Sequence, residues 1–136
     1  MTQLDDVVTF LGKAGTGEAF PTVKHIEDAR KPYQVGTGNR ILVDAGAMSN
    51  IDTGVLRYSE TYMCKAEYDT EANLVTMKET LIDNCDKVNR REAISGYTKP
   101  AKLINVHLID WDTPTFNKMG ARVRTNFMIK VEWSTA

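Results

Sequence analysis

The sequence predicts an α+β fold in which two helices pack on one face of a mostly antiparallel sheet. Two long segments alternate between apolar and polar residues, which is typical of strands with one buried face. A long amphipathic helix pattern separates them. Most other connections are short and rich in turn-forming residues, so only one crossover is helical. With 136 residues, the whole chain, 1–136, is predicted to form a single domain.

The closing segment, residues 122–133, alternates without interruption. One side carries Val123, Thr125, Phe127, Ile129, Val131 and Trp133. The other side carries Arg122, Arg124, Asn126, Met128, Lys130 and Glu132. A second long strand is predicted over residues 56–68, where Tyr62, Cys64, Ala66 and Tyr68 share a face with Tyr58. Both are about twice the usual strand length of roughly 5–6 residues.

Two helices are predicted. The first begins at Thr2 and ends at Gly12, with acidic residues in its first turn, where the helix dipole favours them. The second is capped by Asp69 or Thr70 and runs to about residue 91. Its apolar stripe consists of Leu74, Met77, Leu81, Cys85 and Val88, with Val75 and Ile82 beside it. A single stripe predicts packing on one surface, which we expect to be the apolar face of the two long strands.

Shorter strands are predicted at residues 22–26, 40–44 and 103–111. Residues 45–54 indicate an irregular connection, and residues 112–120 indicate a turn into the closing strand. No internal repeat is detected. The predicted elements follow one another in the order helix, strand, strand, long strand, helix, strand, long strand.

Composition excludes several classes of function. A formal net charge of −1 argues against a general affinity for nucleic acid. No apolar run approaches the length of a membrane span, and the N terminus does not have the pattern of a secretion signal. Cys64 and Cys85 make no paired motif and are predicted to be free, buried thiols in a reducing compartment. With His25 and His107 far apart in the chain, no metal site and no cofactor are expected.

Two glycine-rich segments resemble phosphate loops but do not meet the requirements. GKAGTG at residues 12–17 follows a helix, whereas a phosphate loop precedes one and ends in Gly-Lys followed by Ser or Thr. VGTGNR at residues 35–40 lacks the third glycine and the following helix of a dinucleotide site. Both are therefore interpreted as loops.

The strongest candidate for catalysis is His107 with Asp110 or Asp112. This set would suit a small α+β hydrolase or transferase if the three residues shared a cleft. No Ser or Cys stands in the context of an activated nucleophile, and two carboxylates alone bind cations weakly. We therefore expect that the chain is not an enzyme, that His107 is a strand or interface residue, and that no residue has a catalytic role.

A charged row lies on the polar side of the closing strand. Arg122, Arg124 and Lys130 form it, and Glu132 ends it. A nucleic-acid platform would interleave aromatic residues with these cations, but Phe127 and Trp133 lie on the opposite side. A solvated face and an assembly surface remain two open readings, because Arg and Met are enriched at interfaces. Both are favoured over specific binding of nucleic acid.

The order of elements resembles the tail terminator proteins of long-tailed bacteriophages. The matching parts are TQLDDVVTFL, TYMCKAEYDT leading into ANLVTMKETLIDNCDKV, INVHLIDWD and the closing RVRTNFMIKVEW. That family has a short N-terminal helix, an antiparallel sheet and one long helix between a long central strand and a terminal hairpin. The segment at residues 30–52 is longer and more irregular than the family pattern.

The resemblance implies a structural virion protein located at the tail or neck and assembled in the host cytoplasm. Such a protein forms a homo-oligomeric ring, usually a hexamer, that caps the tail tube, ends its polymerisation and docks to the head–tail connector. Its partners would be copies of itself, the tube protein and the connector. Long strands projecting beyond the sheet and the loops at 45–54 and 112–120 are expected to supply the contacts between subunits. Another phage neck or head-completion protein is the related alternative.

Overall fold

The computed structural model describes residues 3–12, 22–26, 39–44, 48–52, 57–112, 115–117 and 122–134. The remaining parts of both glycine-rich segments, residues 13–17 and 35–38, lie outside the described residues. The same holds for residues 45–47 and 53–54 of the predicted connection and for residues 113–114 and 118–120 of the predicted turn.

The α+β class is confirmed, with two helices and seven strands in the described part of the chain. In chain order they are α1 (Gln3–Gly12), β1 (Thr22–Ile26), β2 (Arg40–Asp44), β3 (Met48–Asp52), β4 (Arg57–Tyr68), α2 (Glu71–Asn89), β5 (Leu103–Ile109), β6 (Thr115–Asn117) and β7 (Arg122–Ser134). Both long strands and both helices lie where the sequence predicts them. β3 and β6 are additional, because they fall in segments that the sequence analysis interprets as a connection and a turn.

The two long strands form the centre of the sheet. β4 and β7 pair antiparallel over their full length, from Arg57 opposite Ser134 to Tyr68 opposite Val123. The other edge of β4 pairs with β2 and β3, and the other edge of β7 pairs with β5 and β6. Only β1 is parallel to its neighbour, β2. The expectation that the long strands project beyond their sheet to pair with other subunits is therefore wrong, because short strands already line them within the molecule.

Apart from β1, the sheet consists of two hairpins with the same pairing pattern. The first hairpin is β2, β3 and β4, and the second hairpin is β5, β6 and β7. Arg40 pairs with Glu67 and Asn105 with Glu132, so this pair recurs 65 residues later. The same offset relates β3–β4 to β6–β7, for example in the pair that Arg122 forms with Asn117.

Each hairpin has the same register shift in its first arm, which is β2 with β3 in the first hairpin and β5 with β6 in the second. Between Val43 and Met48 the chain advances five residues while β4 advances three, from Cys64 to Thr61. Between Ile109 and Thr115 the chain advances six residues while β7 advances four, from Met128 to Arg124. Both first arms thus hold two residues more than the part of the long strand opposite them.

The sequence-based conclusion that the chain has no internal repeat needs correction. At the 65-residue offset, four residues of the long strands are identical: Arg57 and Arg122, Met63 and Met128, Lys65 and Lys130, Glu67 and Glu132. Met63 and Met128 also pair with each other, so they lie at the centre of the symmetric pairing pattern. The repeat is easily missed because a strand with one buried face requires only an alternation of residue class, not identical residues.

The helices cover one side of the sheet, here named the core face. The predicted stripe of α2 is buried there with Phe127, Ile129 and Val131 of β7. α1 contributes Val7, Phe10 and Leu11 to the same hydrophobic cluster. The opposite side of the sheet, here named the outer face, has no helix packed on it among the described residues.

Both ends of α2 are capped by the chain itself. The Thr70 hydroxyl accepts a hydrogen bond from the Asn73 amide at 3.1 Å, which confirms the predicted cap. At the other end the amides of Arg91 and Glu92 donate to Val88 O and Lys87 O, the pattern of a Schellman motif. Arg91 takes the left-handed position with φ 62°, where glycine is usual.

Candidate functional site: the charged outer face of the sheet

The outer face carries most of the residues that sequence analysis singles out. β4 contributes alternate residues from Arg57 to Glu67, β7 contributes the polar side of the closing strand, and β5 contributes Asn105, His107 and Ile109. Met63, Met128 and Ile109 are directly opposite one another on three neighbouring strands. Polar and charged residues surround this short apolar row.

Arg124 is engaged within the molecule. Its Nε donates to Glu67 Oε2 at 3.1 Å, and Arg40 lies 3.6 Å from the other oxygen of the same carboxylate. Glu67 is completely buried although it lies on the outer face. A buried carboxylate between two guanidinium groups is an internal structural element, so Arg124 does not belong to a free cationic row.

Arg122 is the first residue of β7 and pairs with Asn117 of β6. Its side chain lies outside the described residues, so the predicted role of Arg122 in an assembly surface stays a prediction.

Glu132 is the counterpart of Glu67 in the second hairpin, and its surroundings differ. Asn105 Nδ2 donates to Glu132 Oε2 at 3.4 Å, and His107 Nε2 lies 3.5 Å from Oε1. Lys130 is opposite His107 on β5 and opposite Thr61 on β4. This corner of the sheet is open to solvent, since the His107 side chain is 45% exposed.

Of the three residues that the enzyme reading needs, His107 and Asp110 border one groove between α2 and β5, and Asp112 is not among the residues that border it. The carboxylate next to His107 belongs to Glu132. Asp110 has φ 51° and ends β5. The backbone of Asp112 is hydrogen-bonded to β7. Its N–H donates to Asn126 O, and its carbonyl oxygen accepts from the Thr125 hydroxyl, both at 2.9 Å. Both aspartates therefore shape the break between β5 and β6.

The two thiols are not suited to act as nucleophiles. Cys64 and Cys85 are free and buried, as predicted. Burial raises the pKa of both thiols, to about 12 for Cys85, with a further contribution from nearby Asp44 and Asp86 respectively. Both remain protonated at neutral pH. Among the described residues, no three His, Cys, Asp or Glu side chains are grouped as a metal site would require.

α2 presents a second charged surface, which borders the same groove as His107. Its solvent side carries four acidic residues, here named the acidic strip: Glu71, Glu79, Asp83 and Asp86. Asp83 is paired with Lys87 at 3.2 Å. No described cation lies within salt-bridge distance of the other three. Val75 and Ile82 lie beside them and are 42% and 41% exposed.

Side chains from the end of α2 close the free edge of β5. The Asn89 amide accepts from Val106 N and donates to Val106 O, both at 2.9 Å, as a neighbouring strand would. Arg91 donates to Ile104 O at 2.6 Å, and Lys99 donates to Leu103 O at 2.7 Å. An exposed strand edge is a site of unwanted pairing, so these contacts protect the sheet.

Sequence reasoning missed Glu67 and Asn89 as important residues. The signal for Glu67 was present, since KAEY at residues 65–68 recurs as KVEW at residues 130–133. Asn89 offered no such signal, because its role depends on where β5 lies relative to the end of α2. The groove between α2 and β5 that His107 and Asp110 border has a volume of about 350 Å³, and Ile82, Asn89 and Trp111 border it as well.

Comparison with known proteins gives little that bears on function. No family model matches the chain, and no curated protein matches it. Among solved structures, it is similar to a chain of the virion of a native gene transfer agent particle. The likeness has 11% sequence identity and a TM-score of 0.45, and it covers 82% of this chain and 78% of the other. At that level it assigns neither a fold family nor a function. In the described part, no helix is long and apolar enough to cross a membrane.

Proposed function

We propose that this chain is a structural protein of a phage-like virion that assembles into a ring, caps the tail tube and ends its polymerisation. The observation that carries the proposal is the one-sided architecture. Both helices pack on the core face, and the outer face is left with a charged surface around Met63, which is 53% exposed. Met and Arg are enriched at protein interfaces, so the exposed Met63 and Arg57 of this face suit contact with other subunits.

The arrangement of elements adds support. α2 lies between the long central strand β4 and a terminal hairpin that ends in β7, which is the order that the resemblance to tail terminators rests on. The two glutamates of the outer face, Glu67 and Glu132, have charged or ionisable neighbours within the molecule.

The proposed partners are copies of this chain, the tail tube protein and the head–tail connector. A hexamer that matches a six-fold tube is the expected assembly, and the virion tail or neck is the expected location. No cofactor or nucleic acid enters the proposal.

The test is a tube-length assay. Purified tail tube protein is allowed to polymerise with increasing amounts of this chain, and tube lengths are measured by negative-stain microscopy. We expect shorter tubes, each with an added density at one end. The control is Leu81→Asp, which places a charge in the fully buried core and should abolish the effect. Tubes of unchanged length without end density would refute the capping function.

A further inference from the structure

The edge of β5 is closed at Val106 but open at Leu108, beside the groove between α2 and β5. Asn89 bonds both the N–H and the carbonyl of Val106 on the side away from β7. Along an antiparallel strand every second residue directs its N–H and its carbonyl to the same edge, so Leu108 directs both groups there as well. No hydrogen-bond partner for them lies in the described part of the chain. Leu108 therefore offers one donor and one acceptor to an incoming main chain.

The internal repeat shows what an edge of this kind accepts. At the 65-residue offset, Val106 and Leu108 correspond to Ile41 and Val43 of β2. The outer edge of β2 is covered by the strand β1, which pairs with it in parallel over its whole length. In the second hairpin Asn89 supplies such hydrogen bonds at Val106. The first hairpin thus shows that an extended segment fits beside this arm.

The open stretch is short, which limits what can enter it. Asn89 covers Val106 at one end, and Arg91 covers the carbonyl of Ile104 beyond it. At the other end Asp110, with φ 51°, ends the strand. The edge strand of another sheet would have to displace Asn89, whereas a few residues of a single extended chain fit between Asn89 and Asp110.

The groove beside Leu108 also offers a place for an apolar side chain. Its volume is about 350 Å³, and Ile82 and Trp111 border it. Ile82 is 41% exposed, so its aliphatic surface is accessible. The Trp111 ring is stacked on Phe127 with a distance of 4.7 Å between ring centres, which holds the ring in place. An added strand gains affinity from its main-chain bonds and specificity from a pocket of this kind.

The charged side chains that border the groove favour a basic segment. Asp86 and Asp110 are exposed acids on its two sides, one on α2 and the other at the end of β5. Against them stands Lys78, whose Nζ lies 4.9 Å from the centre of the Trp111 ring. Two carboxylates and one ammonium group leave the groove with an excess of negative charge.

His107 also borders the groove and does not reverse this balance. Its imidazole lies 3.5 Å from Glu132 and is charged only when it is protonated. The neighbours of His107 on β7, Glu132 and Lys130, carry opposite charges that offset each other.

We propose that the groove between α2 and β5 binds a short, extended, basic segment of a partner protein, which pairs through its main chain with Leu108. An aliphatic side chain of the segment packs between Ile82 and Trp111, and a neighbouring Lys or Arg contacts Asp86 or Asp110. The segment takes the place beside β5 that β1 takes beside β2. This site goes beyond the proposed tube capping, and the tube-length assay tests that function separately.

The probe is a capped, fluorescently labelled peptide with the sequence of β1, TVKHI, because β1 pairs with the equivalent edge. Fluorescence anisotropy measures its binding to the unmodified chain, and we expect saturable binding. The peptide TVEHI, in which Glu replaces Lys, should bind at least about tenfold more weakly because it brings a negative charge to the carboxylates.

N-methylated versions of the probe test the main-chain pairing. One version is methylated at its valine and histidine amides, and the other at its lysine and isoleucine amides. Only one of these two sets faces β5, because successive amides of a strand alternate between its edges. One version should therefore bind at least about tenfold more weakly, which corresponds to the loss of roughly one hydrogen bond, and the other should bind like TVKHI.

Variants of the chain locate the site. Asp86→Lys should weaken the binding of TVKHI at least about tenfold and strengthen that of TVEHI, since it reverses one charge of the groove. Ile82→Ser should weaken both peptides by removing the apolar contact. The control is Glu92→Lys, which reverses an exposed acid beyond the end of α2 and should leave binding unchanged. Circular-dichroism melting of each variant establishes that the fold is kept.

Each outcome decides the inference. Saturable binding that Asp86→Lys weakens and Glu92→Lys leaves unchanged supports it. The absence of saturable binding, or binding that Asp86→Lys and both N-methylated probes leave unchanged, would overturn it. If the unmodified chain associates with itself and TVKHI competes with that association, the occupant is a second copy, and the assignment to a partner protein is overturned.

Discussion

The two hairpins share one pairing pattern but stabilise their corresponding glutamates differently. Glu67 of the first hairpin is buried between Arg40 and Arg124. Glu132 of the second hairpin is partly exposed and is engaged by Asn105 and His107. The comparison teaches that the same strand register supports either a sealed internal ion cluster or an open polar corner. The residue opposite the glutamate, arginine or asparagine, is one of the differences.

The largest expected effect separates the two glutamates directly. Glu67→Gln removes a buried charge and leaves two guanidinium groups without their carboxylate, which should lower the free energy of unfolding by about 3 kcal/mol. Glu132→Gln alters a partly exposed pair and should cost less than about 1 kcal/mol. Urea denaturation of both variants measures the difference. Equal losses would show that the two corners are not distinct.

The next effect concerns the edges of the two hairpins. The outer edge of β2 is paired with β1, whereas the edge of β5 is closed by Asn89. Asn89→Leu removes two hydrogen bonds to Val106 and should cost about 2 kcal/mol, at about 1 kcal/mol for each bond. It should also promote aggregation through the opened edge.

Asn89→Asp is the matched variant, because it keeps the acceptor for Val106 N and loses the donor to Val106 O. It should fall between the unmodified chain and Asn89→Leu in thermal stability and in light scattering. Indistinguishable behaviour of all three proteins would refute the edge-closing role.

The buried thiols of Cys64 in β4 and Cys85 in α2 should make the free energy of unfolding depend on pH. Burial raises the pKa of Cys85 from 9.0 to about 12, and that of Cys64 also rises. Above pH 9 the unfolded chain loses thiol protons that the folded chain retains, so stability falls as pH rises. The slope is about 1.4 kcal/mol per pH unit for each thiol.

Urea denaturation between pH 8 and pH 10.5 measures this slope. Cys85→Ala should reduce it by the contribution of one thiol, whatever the cost of the substitution itself at pH 8. A slope that Cys85→Ala leaves unchanged would contradict the assignment.

The smallest effect tests the left-handed residue that follows α2. Arg91→Ala loses the hydrogen bond to Ile104 O and keeps φ 62°, whereas Arg91→Gly loses the same bond but removes the steric cost. The glycine variant should be more stable than the alanine variant by up to about 1 kcal/mol. Thermal melts compare the two, and an alanine variant that is the more stable would refute the account of this cap.

Sequence alone was sufficient where one periodic pattern determines the structure. The stripe from Leu74 to Val88 located α2, and the alternation in β4 and β7 gave their length and their buried faces. β3 and β6 escaped because strands of five and three residues in glycine- and proline-rich segments carry no periodic signal. These two short strands form because the long strands β4 and β7 supply their hydrogen-bond partners.

The candidate site was only partly predictable for a related reason. The predicted charged row lies on β7, and its described residues differ in availability. Arg124 is taken up by Glu67, a residue 57 positions away in the chain. Pairing of this kind depends on register, and register between β4 and β7 is not visible in either strand taken alone.

The central claim is that this chain associates with itself into a closed ring. Its most direct test is the mass of the unmodified protein in solution, measured by light scattering coupled to gel filtration over a hundredfold range of concentration. The account predicts a discrete species of several subunits that dissociates on dilution without larger aggregates. A single mass of one subunit throughout, or open-ended growth with rising concentration, would contradict it.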